Sequence, residues 1–300
     1  MRTLIPEQAR RFFRLHRSLI LFTNNKYKIC KNFQDITDIE SLNEQDIKSN
    51  ILPIQEKMYQ PDNIKQFCRQ NPYALKENEL YVIEKWTNHL VIKAYIMTHL
   101  ASHTILMTDN DKNILYGVKG ITSDLADMFP QKHLPIIGKF ILLPFMGNII
   151  YDGFCNVYNI SFGAGMRKDL RSSYDHSRAI NGIYSEYRMG DDLSNPPPTA
   201  TIKETVKYSI SQSLKRGQFP QRAFDLADDK GMRDIFEKEY TAHYLTYIKK
   251  NLKMNDDIPK MYYAAYRESI IGVMPSKKDL EHFCKERYKN IVEYITILTV

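Results

Sequence analysis

The sequence has few of the residues that stabilise small secreted domains or bind zinc. Its 300 residues include only four cysteines, at positions 30, 68, 155 and 284, and none of them has a short spacing to the next. This argues against a disulfide framework and a zinc site, and it fits reduced thiols. The chain also lacks an apolar run of membrane-spanning length and a signal-peptide pattern. We therefore expect a cytoplasmic protein with no integral membrane segment.

Motifs of the common enzyme classes are missing as well. There is no His-Glu-x-x-His, Cys-x-x-Cys, Gly-x-Ser-x-Gly or Walker-type phosphate loop. Asp109 and Asp111 have a spacing that suits a divalent cation, but a polar turn explains the same residues. His99 and His103 are four residues apart in a β-rich region, where that spacing does not pair two ligands. We predict no metal site, and the sequence does not identify a cofactor.

The excess of positive over negative charge is confined to one end of the chain. The net charge is +7, and residues 1–31 carry eight basic residues against one acid, so the remaining residues are neutral overall. A helix is predicted from Pro6 to about Phe22, because proline suits the first turn and apolar residues recur on one side. Its other side carries arginines. We predict that these arginines and one later arginine bind nucleic acid or another polyanion: Arg10, Arg11, Arg14, Arg17 and Arg178.

The same helix has a simpler interpretation that requires no polyanion. It could dock on the body of the protein, with its arginines solvated or paired with acids elsewhere. The acidic segment Asn32–Asn50 would be suited to fold back on the arginine face. Attraction to an anionic membrane surface is a further possibility for a basic amphipathic helix.

The stretch Ile136–Lys168 holds the densest apolar region and the tightest group of glycines. Phe140–Phe145 and Ile149–Tyr151 flank a glycine-containing turn, which predicts a β-hairpin. Other β-rich runs begin at Leu90 and are joined by short turns. Since short turns join antiparallel neighbours, we predict a central, mostly antiparallel sheet or small β-barrel.

Part of this stretch resembles a set of uncharacterised bacterial proteins. The shared pattern is LLPF, a glycine, IIYDG and then SFG-x-G, and it lies within Leu142–Gly165. It covers less than a tenth of the chain, and the resemblance implies no activity.

Two candidate sites lie in or beside the central stretch. A strand, a Gly-x-Gly turn and a helix start form a typical anion-binding arrangement, with the residues Gly163, Gly165, Arg167, Lys168 and Arg171. Alternatively, the glycines only make a tight turn. Asp152, at the end of an apolar strand, is a weak catalytic candidate as a base or metal ligand. Alternatively, Asp152 and Gly153 form a hairpin turn.

Three consecutive prolines mark the clearest boundary in the chain, because they form a stiff, extended spacer. Thr201 and Glu204 resemble a capping box at the start of a helix, and everything that follows is predicted to be helical. The fold class is therefore α+β, with four parts: an N-terminal helical region with a basic arm (1–87), a central β-rich domain with a closing helix (88–189), a proline-rich linker (190–201) and an all-α C-terminal domain (202–300).

These observations support three functional hypotheses. The first is a cytoplasmic protein that binds nucleic acid or another polyanion. The second is a protein–protein interaction module of a bacterial defence or mobile-element system. Its C-terminal helices, including the amphipathic helix at 277–298, would form a homo-oligomer or dock on a partner. The third is an enzyme that acts on a phosphorylated small molecule at the Gly163–Lys168 turn.

Overall fold

The computed structural model describes residues 1–30, 52–188, 190–252, 261–267 and 269–299. The chain divides into two units, residues 1–199 and 200–300, which are described separately. The α+β prediction, with an N-terminal helix, a central mostly antiparallel sheet and C-terminal helices, is confirmed. The acidic segment Asn32–Asn50 lies outside the described residues. No helix in the described ranges is long and apolar enough to cross a membrane.

Four helices in the described residues form a layer at the start of the first unit. Their bounds are α1 Pro6–Tyr27, α2 Leu52–Met58, α3 Pro61–Gln70 and α4 Glu77–Lys85. Proline occupies the first turn of α1 and α3, where its missing N–H costs nothing. Phe12, Leu15 and Leu19 of α1 are fully buried, and each such side chain contributes roughly 1.5–3 kcal/mol by leaving water. The apolar side of α1 therefore packs on the body of its unit, as the docking interpretation expects.

Five strands follow and form one sheet that closes on itself. They are β1 Leu90–His99, β2 Thr104–Thr108, β3 Leu115–Lys119, β4 Ile136–Phe145 and β5 Asn148–Val157. The order is β1-β2-β3-β5-β4, and β4 pairs back on β1. All pairs are antiparallel except the short parallel contact of β3 with β5. Leu143, Phe145 and Ile150 share a core with the helices, so the helical layer and the sheet form one unit.

The β4–β5 hairpin positions the candidate site. Its turn is at Met146 and Gly147, which have φ of 49° and 77°, as predicted from the sequence. Asp152 and Gly153 are not a hairpin turn. They lie inside β5 at a register shift, and Gly153 has φ of 97°. An irregularity of this kind re-aims side chains near sites, and here the Asp152 side chain is buried.

Two further helices complete the first unit. A single turn, α5 Leu125–Met128, precedes β4, and α6 Ala164–Ile180 follows β5. The closing helix predicted for the central domain is present, but it ends at Ile180 and does not continue to Arg188 as its pattern of apolar residues suggested. Gly182 has φ of 79°, and the chain then runs extended, with Tyr184 bridged to Tyr116 of β3. Tyr184 is buried there, so tertiary packing overrides the helical pattern.

The second unit has a helical and a sheet part. Its helices are α7 Ile202–Lys215, α8 Gln221–Asp229, α9 Arg233–Leu252 and α10 Lys277–Arg287, and its strands are β6 Tyr262–Tyr266, β7 Ser269–Met274 and β8 Thr296–Thr299. The capping box of Thr201 and Glu204 is present at the start of α7. The strand order is β7-β6-β8. Buried Glu237 accepts a hydrogen bond from Arg267 Nε at 2.7 Å.

The prediction of an all-α C-terminal region is wrong because of this three-stranded sheet. The predicted helix at 277–298 ends at Arg287, and β8 follows. Leu280 and Cys284 are buried in a cluster with residues of the sheet. The apolar stripe that suggested a homo-oligomer through this helix therefore packs, in large part, within its own unit.

Candidate functional site

A pocket of about 440 Å³ opens between the helical layer and the β4–β5 hairpin. Its wall combines the α2–α3 corner, the start of β1 and the middle of β4 and β5. Apolar side chains cover much of it, and they include Val91, Ile141 and Phe154. Two exposed charged residues, Glu56 and Lys139, lie at the pocket as well. The volume falls within the roughly 300–1,000 Å³ of small-molecule sites.

His89 offers an unoccupied nitrogen in this wall. Its Nδ1 lies 3.2 Å from the Trp86 carbonyl oxygen, and because a carbonyl can only accept, Nδ1 carries the proton. Nε2 then keeps its lone pair, and it has no hydrogen-bond partner in the described part of the chain. Burial lowers the pKa of His89, and the carbonyls of Trp86 and Thr87 oppose that effect. The ring is therefore a neutral acceptor at neutral pH.

Tyr59 connects this wall to the interior. Its ring stacks on His89, with centroids 5.2 Å apart and an angle of 26° between the planes. Its hydroxyl points away from solvent, since only 2% of the residue is exposed. The hydroxyl lies 2.8 Å from His16 Nε2 and 3.3 Å from Asp152 Oδ2. One aromatic residue thus contacts both the pocket histidine and a buried polar group.

Asp152 is the carboxyl at one end of a hydrogen-bonded chain formed by His16, Tyr59 and Asp152. The Gln55 amide nitrogen donates to Oδ2, and the backbone N–H of Phe154 donates to Oδ1 at 3.2 Å. Burial raises the pKa of Asp152 to about 7, and the hydrogen bonds from Phe154, Tyr59 and Gln55 limit the rise. A carboxyl is harder to ionise where water is absent. Asp152 is therefore poised to change charge near neutral pH.

His16 lies at the other end of this hydrogen-bonded chain, and its imidazole stays neutral. It is buried on α1 against Phe12, with ring centroids 4.9 Å apart. Burial lowers its pKa to about 3, with a smaller contribution from the charge of Arg17. The environment thus moves the pKa values of two titratable groups apart, as it does in acid–base sites.

Protein-family models, curated proteins and solved structures were compared with this chain. None of them matches it. The site is therefore interpreted from its geometry. Within the described ranges, no group of three or more His, Cys, Asp or Glu side chains could hold a metal ion.

The structure gives only partial support to the predicted anion site around Gly163 and Gly165. Gly163 caps α6 with φ of −68°, and an added Cβ at either glycine would meet nothing within 4 Å. Arg167 donates to the Phe162 carbonyl at 2.9 Å and to the Leu134 carbonyl at 3.4 Å. Arg171 pairs with Asp175, and Arg167, Lys168 and Arg171 are all exposed. None of these residues hydrogen-bonds Asp152.

The predicted nucleic-acid face is largely engaged within the protein. Arg14 forms an ion pair with the buried carboxylate of Glu79, Arg11 donates to the Asn78 carbonyl at 3.2 Å, and the Arg17 guanidinium lies over the Phe13 ring at 5.3 Å. Arg10 and Arg178 are exposed, on α1 and α6. The docking interpretation of α1 therefore describes Arg11, Arg14 and Arg17 better than the polyanion-binding one.

Sequence reasoning missed most of the pocket. It singled out Asp152 but not Gln55, Tyr59, His89 or His16. One signal was present for His16, which lies among Phe12, Leu15 and Leu19 on the apolar side of α1. A polar residue in an apolar stripe needs a buried partner. No local pattern marks Tyr59 or His89, since long-range packing brings them together.

Proposed function

We propose that the first unit binds a small molecule in the pocket beside His89. The observation that carries this proposal is the neutral imidazole whose Nδ1–H is fixed by the Trp86 carbonyl and whose Nε2 has no partner among the described residues. His89 Nε2 is not among the buried unpaired atoms of the described residues, so it is open to water or to a donor group of a ligand. The ligand would present an N–H or O–H group to Nε2.

The remaining wall defines the rest of the ligand. Val91, Ile141 and Phe154 favour an apolar or planar body, because burial of such surface contributes roughly 25 cal/mol per Å². Lys139 supplies a positive charge at the pocket, and Glu56 supplies a negative one. We therefore infer a compact molecule with an apolar body, one hydrogen-bond donor and an anionic group placed toward Lys139. In an enzyme, His89 would act as the general base toward that donor.

A pocket-filling variant tests the proposal. Val91 is 47% exposed at the pocket, so Val91→Trp fills the pocket while aromatic residues remain suited to a strand. Ile270→Trp is the matched control, because Ile270 is 43% exposed on β7 of the other unit. Thermal unfolding is measured with nucleosides, sugar phosphates, amino acids and aromatic carboxylates.

We expect a compound that raises the unfolding temperature of the wild type and of Ile270→Trp, but not of Val91→Trp or His89→Gln. Binding to the folded state alone produces such a shift. The proposal is overturned if no compound stabilises the wild type, or if the stabilising compound acts equally on Val91→Trp.

Polyanion binding by the basic end is a second proposal. The exposure of Arg10 on a segment that carries the whole charge excess supports it. Binding of a fluorescent single-stranded oligonucleotide at rising salt tests it, since contacts with phosphates weaken steeply with ionic strength. Affinity that is independent of salt, or unchanged in Arg10→Ala, would exclude this role for α1.

A further inference from the structure

The buried chain of His16, Tyr59 and Asp152 can be fully hydrogen-bonded in two protonation states. In the ionised state the carboxylate accepts from Gln55, from the Phe154 backbone and from the Tyr59 hydroxyl. The Tyr59 oxygen can then accept from His16 Nε2 at 2.8 Å. Every short contact in the chain therefore has one donor and one acceptor.

The protonated state reverses the chain without moving heavy atoms. The Asp152 hydroxyl donates to the Tyr59 oxygen, and Tyr59 donates to His16 Nε2, which requires the His16 proton on Nδ1. Gln55 and the Phe154 N–H still donate to the carboxyl oxygens. The two states differ by one proton, by the direction of two hydrogen bonds and by the tautomer of His16. Along the contacts of His16 Nε2, Tyr59 and Asp152, neither state sets two donors or two acceptors against each other.

The chain borders the proposed ligand pocket. Gln55 and Tyr59 both belong to the pocket wall, and Tyr59 also stacks on His89. A negative charge on Asp152 would therefore lie directly behind the wall that a ligand contacts. Charges act strongly over short distances where the medium is apolar. Phe12, Phe154 and Trp86 around His16 make this interior apolar.

We propose that Asp152 is a proton switch for this pocket and that Tyr59 transmits its charge state to His89 and to the bound molecule. This inference rests on the proposed ligand site for its function, whereas the switch itself is a property of the protein without ligand. An anionic ligand would bind more tightly when Asp152 is protonated. Ionisation of Asp152 would disfavour the anion and would favour protonation of His89.

Other titratable or charged groups surround the chain and enter the same electrostatic balance. They are Arg17 on α1, Glu56 on α2, His89 before β1, Lys139 on β4, and Tyr151 and Cys155 on β5. Burial raises the pKa of Cys155 to about 11, and the Asp152 charge adds to this. Asp152 itself is buried, and burial raises its pKa to about 7.

An NMR titration of the full-length protein tests the switch without a ligand. The carboxyl carbon of Asp152 is assigned by its loss in Asp152→Asn, and the rings of Tyr59 and His89 are followed in the same samples. We expect Asp152 to titrate near 7, and we expect the chemical shifts of both rings to change with the same midpoint. This change should disappear in Asp152→Asn and persist in Asp109→Asn, the control for a carboxylate bound by the exposed Lys93.

Tyr59→Phe is a second variant that keeps the stacked ring but removes the hydroxyl. In this variant the midpoint of Asp152 should rise and the change in the His89 shifts should shrink. Titration of Asp152 near its ordinary value of 3.8, or rings that are insensitive to its ionisation, would overturn the switch. A compound screen without a hit would overturn the ligand site and leave this titration unaffected, so the two failures can be told apart.

Discussion

The His89 ring stacks on Tyr59 with centroids 5.2 Å apart, while the Tyr59 hydroxyl lies within 3.3 Å of Asp152. A pocket residue and a buried carboxyl are thus two contacts apart. The helical layer supplies His16, Gln55 and Tyr59, and the bulge in β5 supplies Asp152. The site depends on the packing of α1 and α2 against the sheet.

The stability of Asp152 and His16 variants should depend on pH in opposite ways. The raised pKa of Asp152 stabilises the fold below 3.8, and this contribution is lost as pH rises toward about 7. The lowered pKa of His16 stabilises the fold above 6.5, and this contribution is lost as pH falls toward about 3. Between roughly pH 4 and 6.5 the two slopes, ~1.4 kcal/mol per pH unit each, cancel in the wild type.

Each single variant removes one of these slopes. Relative to the wild type, Asp152→Asn should gain stability as pH rises from about 4 to 6.5, and His16→Gln should lose it, by ~3 kcal/mol over the range. Urea unfolding at several pH values measures both, and the double variant should again follow the wild type. Slopes of the same sign in the two single variants would show that these pKa values are not shifted as described.

Removal of the Tyr59 hydroxyl should destabilise the protein. Tyr59→Phe leaves Asp152 and His16 without the group that both contact, and an unpaired buried polar group costs about 1–3 kcal/mol. Tyr158→Phe is the matched control, since Tyr158 is 38% exposed. Denaturant midpoints should fall for Tyr59→Phe and stay unchanged for Tyr158→Phe. Equal midpoints in the two variants would argue against a buried hydroxyl chain.

The arginines of α1 should separate into structural and dispensable residues. Arg14→Ala leaves the carboxylate of Glu79 buried without its ion pair, and we expect a loss of about 1–3 kcal/mol, since the Arg14 side chain is itself half-exposed. Arg10→Ala, on an exposed position of the same helix, should change stability by less than about 0.5 kcal/mol. Chemical denaturation compares the two, and an equal effect would contradict the docked position of α1.

Two glycines should respond oppositely to alanine. An added Cβ at Gly120 would overlap the Ser123 carbonyl, and Gly120 also pairs with the N-terminal segment through Leu4 N at 3.0 Å. Gly120→Ala should therefore lower stability. Gly165→Ala has open space in the first turn of α6 and should be neutral or stabilising by up to about 1 kcal/mol. Thermal unfolding distinguishes the two variants. A strong destabilisation by Gly165→Ala would show that position 165 requires glycine.

Local patterns in the sequence predicted the parts of the fold that local physics decides. The hairpin around Met146 and Gly147 and the capping box of Thr201 follow from short-range turn and cap chemistry. Tyr262–Tyr266 and Ser269–Met274 form strands in a region that was predicted to be entirely helical. Runs such as YYAAY suit both structures, so the pairing of β6 with β7 and β8, a long-range choice, decides between them.

The candidate site was less predictable than the fold. Asp152 was visible as an acid after an apolar strand, but its burial depends on the bulge at Gly153 and on α1 and α2. Tyr59 is 93 residues from Asp152 and 43 residues from His16 along the sequence. No short-range rule fixes contacts of that length. The concentration of arginines near the N-terminus was real, but it did not reveal that Arg14 pairs with Glu79.

The protonation state of His89 decides whether the pocket presents an unprotonated Nε2 to a ligand. Nitrogen-15 NMR of the imidazole ring in the full-length protein at pH 7 distinguishes a protonated from an unprotonated ring nitrogen. We expect a neutral ring with the proton on Nδ1, toward the Trp86 carbonyl. The nitrogen-15 chemical shift of the unprotonated Nε2 should change when a pocket ligand is added. A proton on Nε2, or a charged ring at pH 7, would contradict this expectation.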